Sequence, residues 1–580
     1  MRYSWIFFII TTVHAGSLDS INYMRDIYIQ VDFYKKYTQP ENLQKNAAIY
    51  IKNYGDGQLS SFSYRGFTAQ QTQIRWNQVD ISSPFLGQVD LSTIPYSLEF
   101  KSSSPSSIGG ILDINTSPNI KAQTQKHLLE LKWRSQNMYH GQYNYAIQKD
   151  KRSLMIDFDV KKGINNFRYN NQNVEAEQTH NALEQIAFIL DHRWEKKVQH
   201  QFSLWQTNTQ REIAPTLSSK ISHAKQRDHS MRALYGFENR NNLANKTVLM
   251  VDNLIFRDSA ASIESRSANY SMRNSMQKKW TKFHLPIKLI LETNADMLVT
   301  NNYSDSKYMF KQYTEISSNI RFRRAPLHLK YGISHTFQND QFAYPLPFAS
   351  IAAEMIQKPS IEFNTELFAK IQTRFPTGND WYWHLGGNPQ LRPEYAYQVD
   401  WKNNIKINHL HVLVNPFIYY TQDLIQWTPT DKGYWQVENL HSVWSKGLHI
   451  EAALDFKHLH LQSHYQYISS TSGQHQIIYV PEHKSTNSIQ LNFDFFSSQL
   501  DYSFTSERYF TTDNSQFLPS YSMVDWSIQK NISIAQWHSN IKFSIRNLLN
   551  EDYSEVVNRP MPLRMFELTY RLSWTKNKTS

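Results

Sequence analysis

From about Gln125 to near its C-terminus the chain alternates in polarity, in segments of 8–11 residues that break at turn residues. Residues 153–160 (SLMIDFDV) show the pattern. Leu154, Ile156, Phe158 and Val160 share one face of an extended chain; Met155, Asp157 and Asp159 share the other. Strand side chains point alternately to opposite faces, so one face is apolar and the other carries charge. Residues 488–495 (SIQLNFDF) repeat it with Ile489, Leu491, Phe493 and Phe495. A soluble sandwich turns such a polar face outward; a transmembrane barrel turns it into a wet lumen. The alternation alone allows both.

One hairpin can be read in register. Residues 448–456 and 459–467 flank Lys457 and His458, a two-residue turn. That register pairs Phe456 with Leu459, Leu454 with Leu461 and Ala452 with Ser463. On the other face Asp455 meets His460, Glu451 meets His464 and His449 meets Gln466. Opposite charges across a strand pair contribute a few tenths of a kcal/mol. His460, His464 and Glu451 have metal-ligand chemistry, but polar residues lining a lumen account for them with no metal.

The chain has 580 residues and is 14% aromatic, yet polar on average. Aromatic girdles around a wet interior explain that combination. Beyond the N-terminus no apolar run reaches the roughly 18 residues of a membrane-spanning helix. There are no cysteines, which excludes disulfides, thiolate metal sites and cysteine nucleophiles. A closed barrel supplies rigidity instead, by pairing every strand edge. The net charge is +11, on scattered residues. Nucleic-acid binding would need a concentrated basic patch, so anionic lipid head groups are the better partner. No G-x-S-x-G nucleophile motif is present, and no catalytic residues are assigned. Arg2, the apolar run WIFFIITTV and the small residues around Ala15 read as an export signal over residues 1–15.

The expected fold is an all-β transmembrane antiparallel barrel. Residues 119–574 accommodate about 22 strands of roughly 9–11 residues plus loops. Residues 16–118 precede the barrel and are of a different kind. Within them "GQLSSFSYRGFTAQQTQIRWNQVDI" reads as strands at 61–64 and 72–76, a polar strand pair joined by a turn.

These residues resemble the TonB-dependent outer-membrane receptors. "YGDGQLSSFSYRG", "TQIRWNQVDISSPFLGQVDLSTIP" and "IGGILDIN" are similar, in order, to that family's N-terminal plug domain. Later echoes are "GGNPQLRPEYAYQVD", "YVPEH" and "YSMVDWSI" as late strands, and "RNLLNEDYSEVVNRPMPLRMFELTYRLSW" at the C-terminus. There Phe566, Leu568, Tyr570, Leu572 and Trp574 alternate toward lipid, and a polar tail (575–580) follows. The resemblance implies a 22-stranded barrel of a Gram-negative outer membrane, with residues 16–118 as a plug in its lumen. A polar strand pair is at home there.

"GQLSS" followed by Arg-Gly and "DLS-x-IP" is most similar to cobalamin (vitamin B12) receptors. That implies an apical substrate loop of Gln58, Leu59, Ser60 and Ser61, and a second at residues 82–90 with Ser83, Phe85 and Gln88. Arg65 would hold plug to barrel wall. Residues 26–31 (DIYIQV), with Asp26, Ile27, Tyr28 and Ile29, are the candidate TonB contact, by strand addition. The implied partner is the TonB-ExbB-ExbD complex, and the implied activity is import of a scarce nutrient, cobalamin, into the periplasm with no cofactor. A ferric-siderophore receptor of the same fold and a barrel that binds without transporting are the alternatives. The sequence departs from the family at Asn77-Gln78, where Asp-Gly is usual, and in "KSSSPSSIGG", which lacks a Tyr-Gly-x-Gly element.

Overall fold

The computed structural model describes residues 43–577, except 56, 96–97, 103, 117–123, 172–173, 220, 323–324 and 430–433. The export signal and the candidate TonB contact lie outside the described residues. From Thr124 to Asn577 the chain forms one closed antiparallel barrel of 22 strands. The first strand, Thr124–Arg134, closes on the last, Met565–Asn577. Among the described residues no helix is long and apolar enough to cross a membrane; the crossing elements are strands.

Alternation becomes inside and outside. Asp157 and Asp159 are buried, while Phe158 and Val160 are exposed on the outer face. The buried acids are partnered: Asn144 Nδ2 donates to Asp157 at 2.8 Å, and His140 Nε2 lies 2.6 Å from Asp159. Outside, Phe158 packs on Phe188 with ring centroids 5.0 Å apart. Exposed Leu131, Phe202, Leu249, Ile316, Ile351 and Leu367 continue the apolar outer surface, as hydrocarbon requires.

The hairpin register holds residue for residue. Strands Trp435–Asp455 and Leu459–Ser472 pair Leu454 with Leu461, Glu451 with His464 and Asp455 with His460. Other expectations are corrected. The strand over "SIQLNFDF" ends at Asn492; Phe493 and Phe496 close a turn by a 2.9 Å backbone bond. Of "YVPEH", only His483 is in a strand, His483–Asn492. Pairing also continues past Trp574, with Thr575 opposite Lys126 and Asn577 opposite Thr124.

The two barrel ends differ. One carries tight connections such as 150–151, 283–284, 359–360 and 408–409. The other carries long ones: 164–182, 375–393, 506–520 and 547–564. Short turns face the periplasm and long loops the exterior in such barrels, which orients the molecule.

Residues 43–116 form six short strands: β1 (Ile49–Asn53), β2 (Ser60–Tyr64), β3 (Gln73–Trp76), β4 (Val79–Asp80), β5 (Leu98–Lys101) and β6 (Ile111–Ile114). The pair read as β2 and β3 do not pair with each other. β2 pairs with β1, and β3 runs parallel to β6 in the sheet β4-β3-β6-β5. A 3-10 turn, Ala69–Gln71, separates them. Their apolar residues Phe62, Tyr64, Ile74 and Trp76 are buried. Polar groups along residues 43–116 reach barrel side chains on several sides. Arg75 meets Glu292 at 3.1 Å, Lys370 Nζ donates to Ser104 O at 2.7 Å, and Gln71 Nε2 donates to Glu394 at 2.8 Å. Lys246 Nζ donates to Asn77 O at 3.0 Å, and Thr116 Oγ1 donates to Asp191 at 3.3 Å. A segment touching inward-facing groups on several sides of the ring lies in the lumen.

Asn77-Gln78, where Asp-Gly is usual, still form a tight turn. Trp76 pairs with Val79, and the two turn residues have φ 49° and 77°. Both positive values make a two-residue type I′ turn. Asn77 Nδ2 donates to Thr116 Oγ1 at 2.9 Å, which helps hold its half of the turn.

Candidate substrate-binding site

Two plug loops face the long-loop end. The first, between β1 and β2, turns through Gly55 (φ 130°) and Gly57 (φ 73°), conformations only glycine adopts readily. Gln58 is buried, and its Nε2 donates to Glu212 O at 2.8 Å and to Asn181 Oδ1 at 2.5 Å. Ser60 is buried; Leu59 and Ser61 are half-buried.

The second loop spans residues 82–90. Ser83 N donates to Gln88 O at 3.2 Å, and both residues are half-buried. Phe85 is only 8% exposed. It packs among Leu298, Tyr303, Met309, Trp381 and Val437. Pro84 O and Phe85 O accept from Gly378 N at 2.9 Å and Asn379 N at 3.1 Å, at the start of the short helix Gly378–Tyr382. Leu86 at the loop tip is exposed.

One carboxylate ties the loops together. Asp90 Oδ1 accepts from Ser60 N at 3.0 Å and from Ser92 N at 3.0 Å, capping the 3-10 turn Leu91–Thr93. Asp90 Oδ2 pairs with barrel Arg211 at 2.7 Å. Asp90 was not singled out in the sequence, although Asp followed two residues on by Ser is a capping signal. Glu555 was also missed. Its Oε2 accepts from Asn53 N at 2.9 Å, and Tyr50 Oη donates to Glu555 O at 3.2 Å. The connection 547–564 thereby sits on the β1–β2 hairpin. Burial pushes the Glu555 carboxyl up to about 7, against the bond from Asn53 N and the pull of Lys484 and Arg508.

Three arginines around the second loop and its wall are paired with carboxylates. Arg211 also meets Asp228 at 3.4 Å. Arg273 pairs with Asp296 at 2.8 Å and donates to Ser82 O at 3.3 Å. Arg374 lies 3.2 Å from both Asp380 and Glu394. Around the first loop the cations meet other groups: Lys52, paired in the sheet with Ser61, lies over the Tyr479 ring, 4.3 Å from its centroid, and Arg559 Nη1 donates to Ala214 O.

Arg65 sits deeper, with φ 49° and buried. Its Nη1 meets Asp400 Oδ1 at 2.6 Å and donates to Tyr419 Oη at 2.8 Å; Nη2 donates to Asn415 Oδ1 at 2.5 Å. The guanidinium also lies over the Phe417 ring, 4.2 Å from its centroid.

A family model for the TonB dependent receptor-like β-barrel matches residues 132–548. The chain belongs to the TonB-dependent receptor family. Its members are transporters and receptors, not enzymes, and take up small molecules across the outer membrane of Gram-negative bacteria. Among curated TonB-dependent relatives, the chain is 24% identical over 442 residues to the vitamin B12 transporter BtuB of Vibrio vulnificus (strain YJ016), covering 69% of this chain and 67% of the relative. Among solved structures, the copper transporter OprC matches with TM-score 0.76 at 10% identity, over 93% of this chain and 95% of that one. The siderophore receptor PirA from Acinetobacter baumannii matches with TM-score 0.71 at 11% identity, over 94% and 96%. The FrpB iron transporter from Neisseria meningitidis (F3-3 variant) matches with TM-score 0.74 at 10% identity, over 95% and 98%. At such identities these structures bear on fold alone.

Proposed function

We propose that this receptor imports cobalamin into the periplasm, energised by the TonB-ExbB-ExbD complex acting on the plug's N-terminal segment. The observation that carries the substrate class is the charge balance around the second plug loop. Arg211, Arg273 and Arg374 are each neutralised by carboxylates. A large, amide-rich ligand needs neutral donors, acceptors and apolar contact, whereas an anionic iron chelate needs unopposed cations. The relation to a vitamin B12 transporter supports the same substrate.

In this reading substrate rests on the two apical loops. Leu59, Ser61, Ser83, Gln88 and Leu86 supply contact area. Gln58 and Phe85 hold the loops to the wall, and Ser60 joins the first loop to Asp90 of the second. Arg65 anchors the plug beneath. No covalent step is needed: a pull on the plug loosens these wall contacts and opens a path.

Tryptophan quenching tests the substrate. Saturable cyanocobalamin binding, weakened by Gln88→Ala or Leu86→Ala, is expected. Binding of ferric siderophores alone would replace the substrate. Binding without TonB-dependent uptake in cells would leave a receptor that does not transport.

A further inference from the structure

We propose that His449, Glu451 and His464 bind one divalent transition-metal ion where the barrel wall meets the plug's entry segment. The strands bring them together directly. Glu451 and His464 are cross-strand partners, and His449 lies two residues from Glu451 on the same inward face. His460, a ligand candidate in the sequence, is excluded: it pairs with Asp455 at 2.8 Å at the exposed turn.

The geometry is close to that of a metal site. One potential ligand atom from each residue lies within 4.8 Å of the others. His449 Nε2 is 2.7 Å from Glu451 Oε1, and His464 Nδ1 is 3.7 Å from the same oxygen. Tetrahedral bonds of about 2.0–2.1 Å set ligand atoms about 3.3 Å apart. The two contacts to Glu451 must open and close by roughly half an ångström, and the imidazole–imidazole edge, within 4.8 Å here, must close by up to about 1.5 Å through side-chain rotation.

A second observation points to a ligand. The three residues are at most 5% exposed. Yet His464 Nδ1, aimed at Glu451, has no hydrogen-bond partner, and neither has His449 Nδ1. Buried polar atoms are nearly always satisfied. A cation would satisfy His464 Nδ1 directly and share the Glu451 charge. Two imidazoles and a carboxylate suit Zn²⁺, Ni²⁺ or Cu²⁺ better than Mg²⁺ or Ca²⁺. Asn46, in the plug's entry segment, donates to Glu451 Oε1 at 3.4 Å. An ion fixing Glu451 would therefore set how firmly that segment rests on the wall.

The test uses the full chain in detergent, stripped of metal and dialysed against Zn²⁺. One Zn²⁺ per chain is expected, with affinity lowered at least about tenfold by His449→Ala or His464→Ala. His460→Ala should leave it unchanged. Co²⁺ in the unaltered chain should give the intense visible absorption of a four-coordinate site, a readout that needs no variant to fold. The proposal is overturned if the unaltered chain retains no Zn²⁺. It is equally overturned if the folded His449→Ala/His464→Ala double variant binds Zn²⁺ as well as the unaltered chain. The site does not rest on the substrate assigned above.

Discussion

Replacing Arg65 by methionine keeps most of the side chain's volume and removes its charge. The pair it forms with Asp400 is deeply buried, the two side chains being 2% and 8% exposed. Breaking a buried pair by removing one partner costs about 3–5 kcal/mol, because the other charge is left without compensation. Asp400 keeps the Tyr419 hydroxyl, 3.1 Å from each of its oxygens. The cost therefore falls at the lower end, about 3 kcal/mol, roughly a 150-fold rise in plug opening. Adding Asp400→Asn removes the stranded charge and should restore much of that loss. The chain has no cysteine, so a spin label on one introduced cysteine in the plug reports its release in urea without interference. A shift under about 1 kcal/mol for Arg65→Met, or a double variant no more stable than Arg65→Met alone, would refute the reasoning.

Gln78→Gly should stabilise the plug by about 0.5–1 kcal/mol, since φ is 77° there and glycine relieves the left-handed strain at some entropic cost; chemical denaturation checks it. Phe85→Ala should cost about 3–5 kcal/mol in the packing of the second loop. Its signature is faster hydrogen exchange at Gly378 and Asn379, whose amides donate to that loop. The seating of Glu555 and its connection on the hairpin should weaken as pH rises, because ionising the buried carboxyl costs more than the Asn53 bond returns. Its carboxyl is held at about 7 against an ordinary 4.5, so below 4.5 it is neutral with the contact made or broken. Between 4.5 and 7 only the closed form keeps the proton, and the advantage, at most about 3 kcal/mol, is gone above that range. A spin label at residue 59 should become more mobile between pH 5 and pH 8, and Glu555→Gln should flatten the response.

The barrel was legible because its pattern is local. Alternation of period two needs only neighbouring residues, and each face reads as lumen or lipid. A two-residue turn fixes register, so the pairing of Glu451 with His464 followed from sequence position. Local signals failed where one alternating run crossed a boundary, as at Asn492, or where a motif lay in a turn, as at residues 479–482.

The plug was legible only as a resemblance. Its strands are four or five residues long apart from a two-residue β4, and β3 meets β6 across more than thirty residues. Nothing local told β2 to pair with β1 rather than β3. The apex followed the same rule: sequence order placed two loops there, but not that Gln58 and Phe85 face the wall or that Asp90 joins both loops. The chain's own periodicity determined a set of strands with one apolar and one polar face; that they close on themselves around the polar face was decided in the tertiary structure. Which interior groups meet was decided by closure of the tertiary structure. Bringing Arg65 to Asp400, or Glu555 to Asn53, joins residues hundreds of positions apart, and partners at that separation leave no periodic trace in either segment.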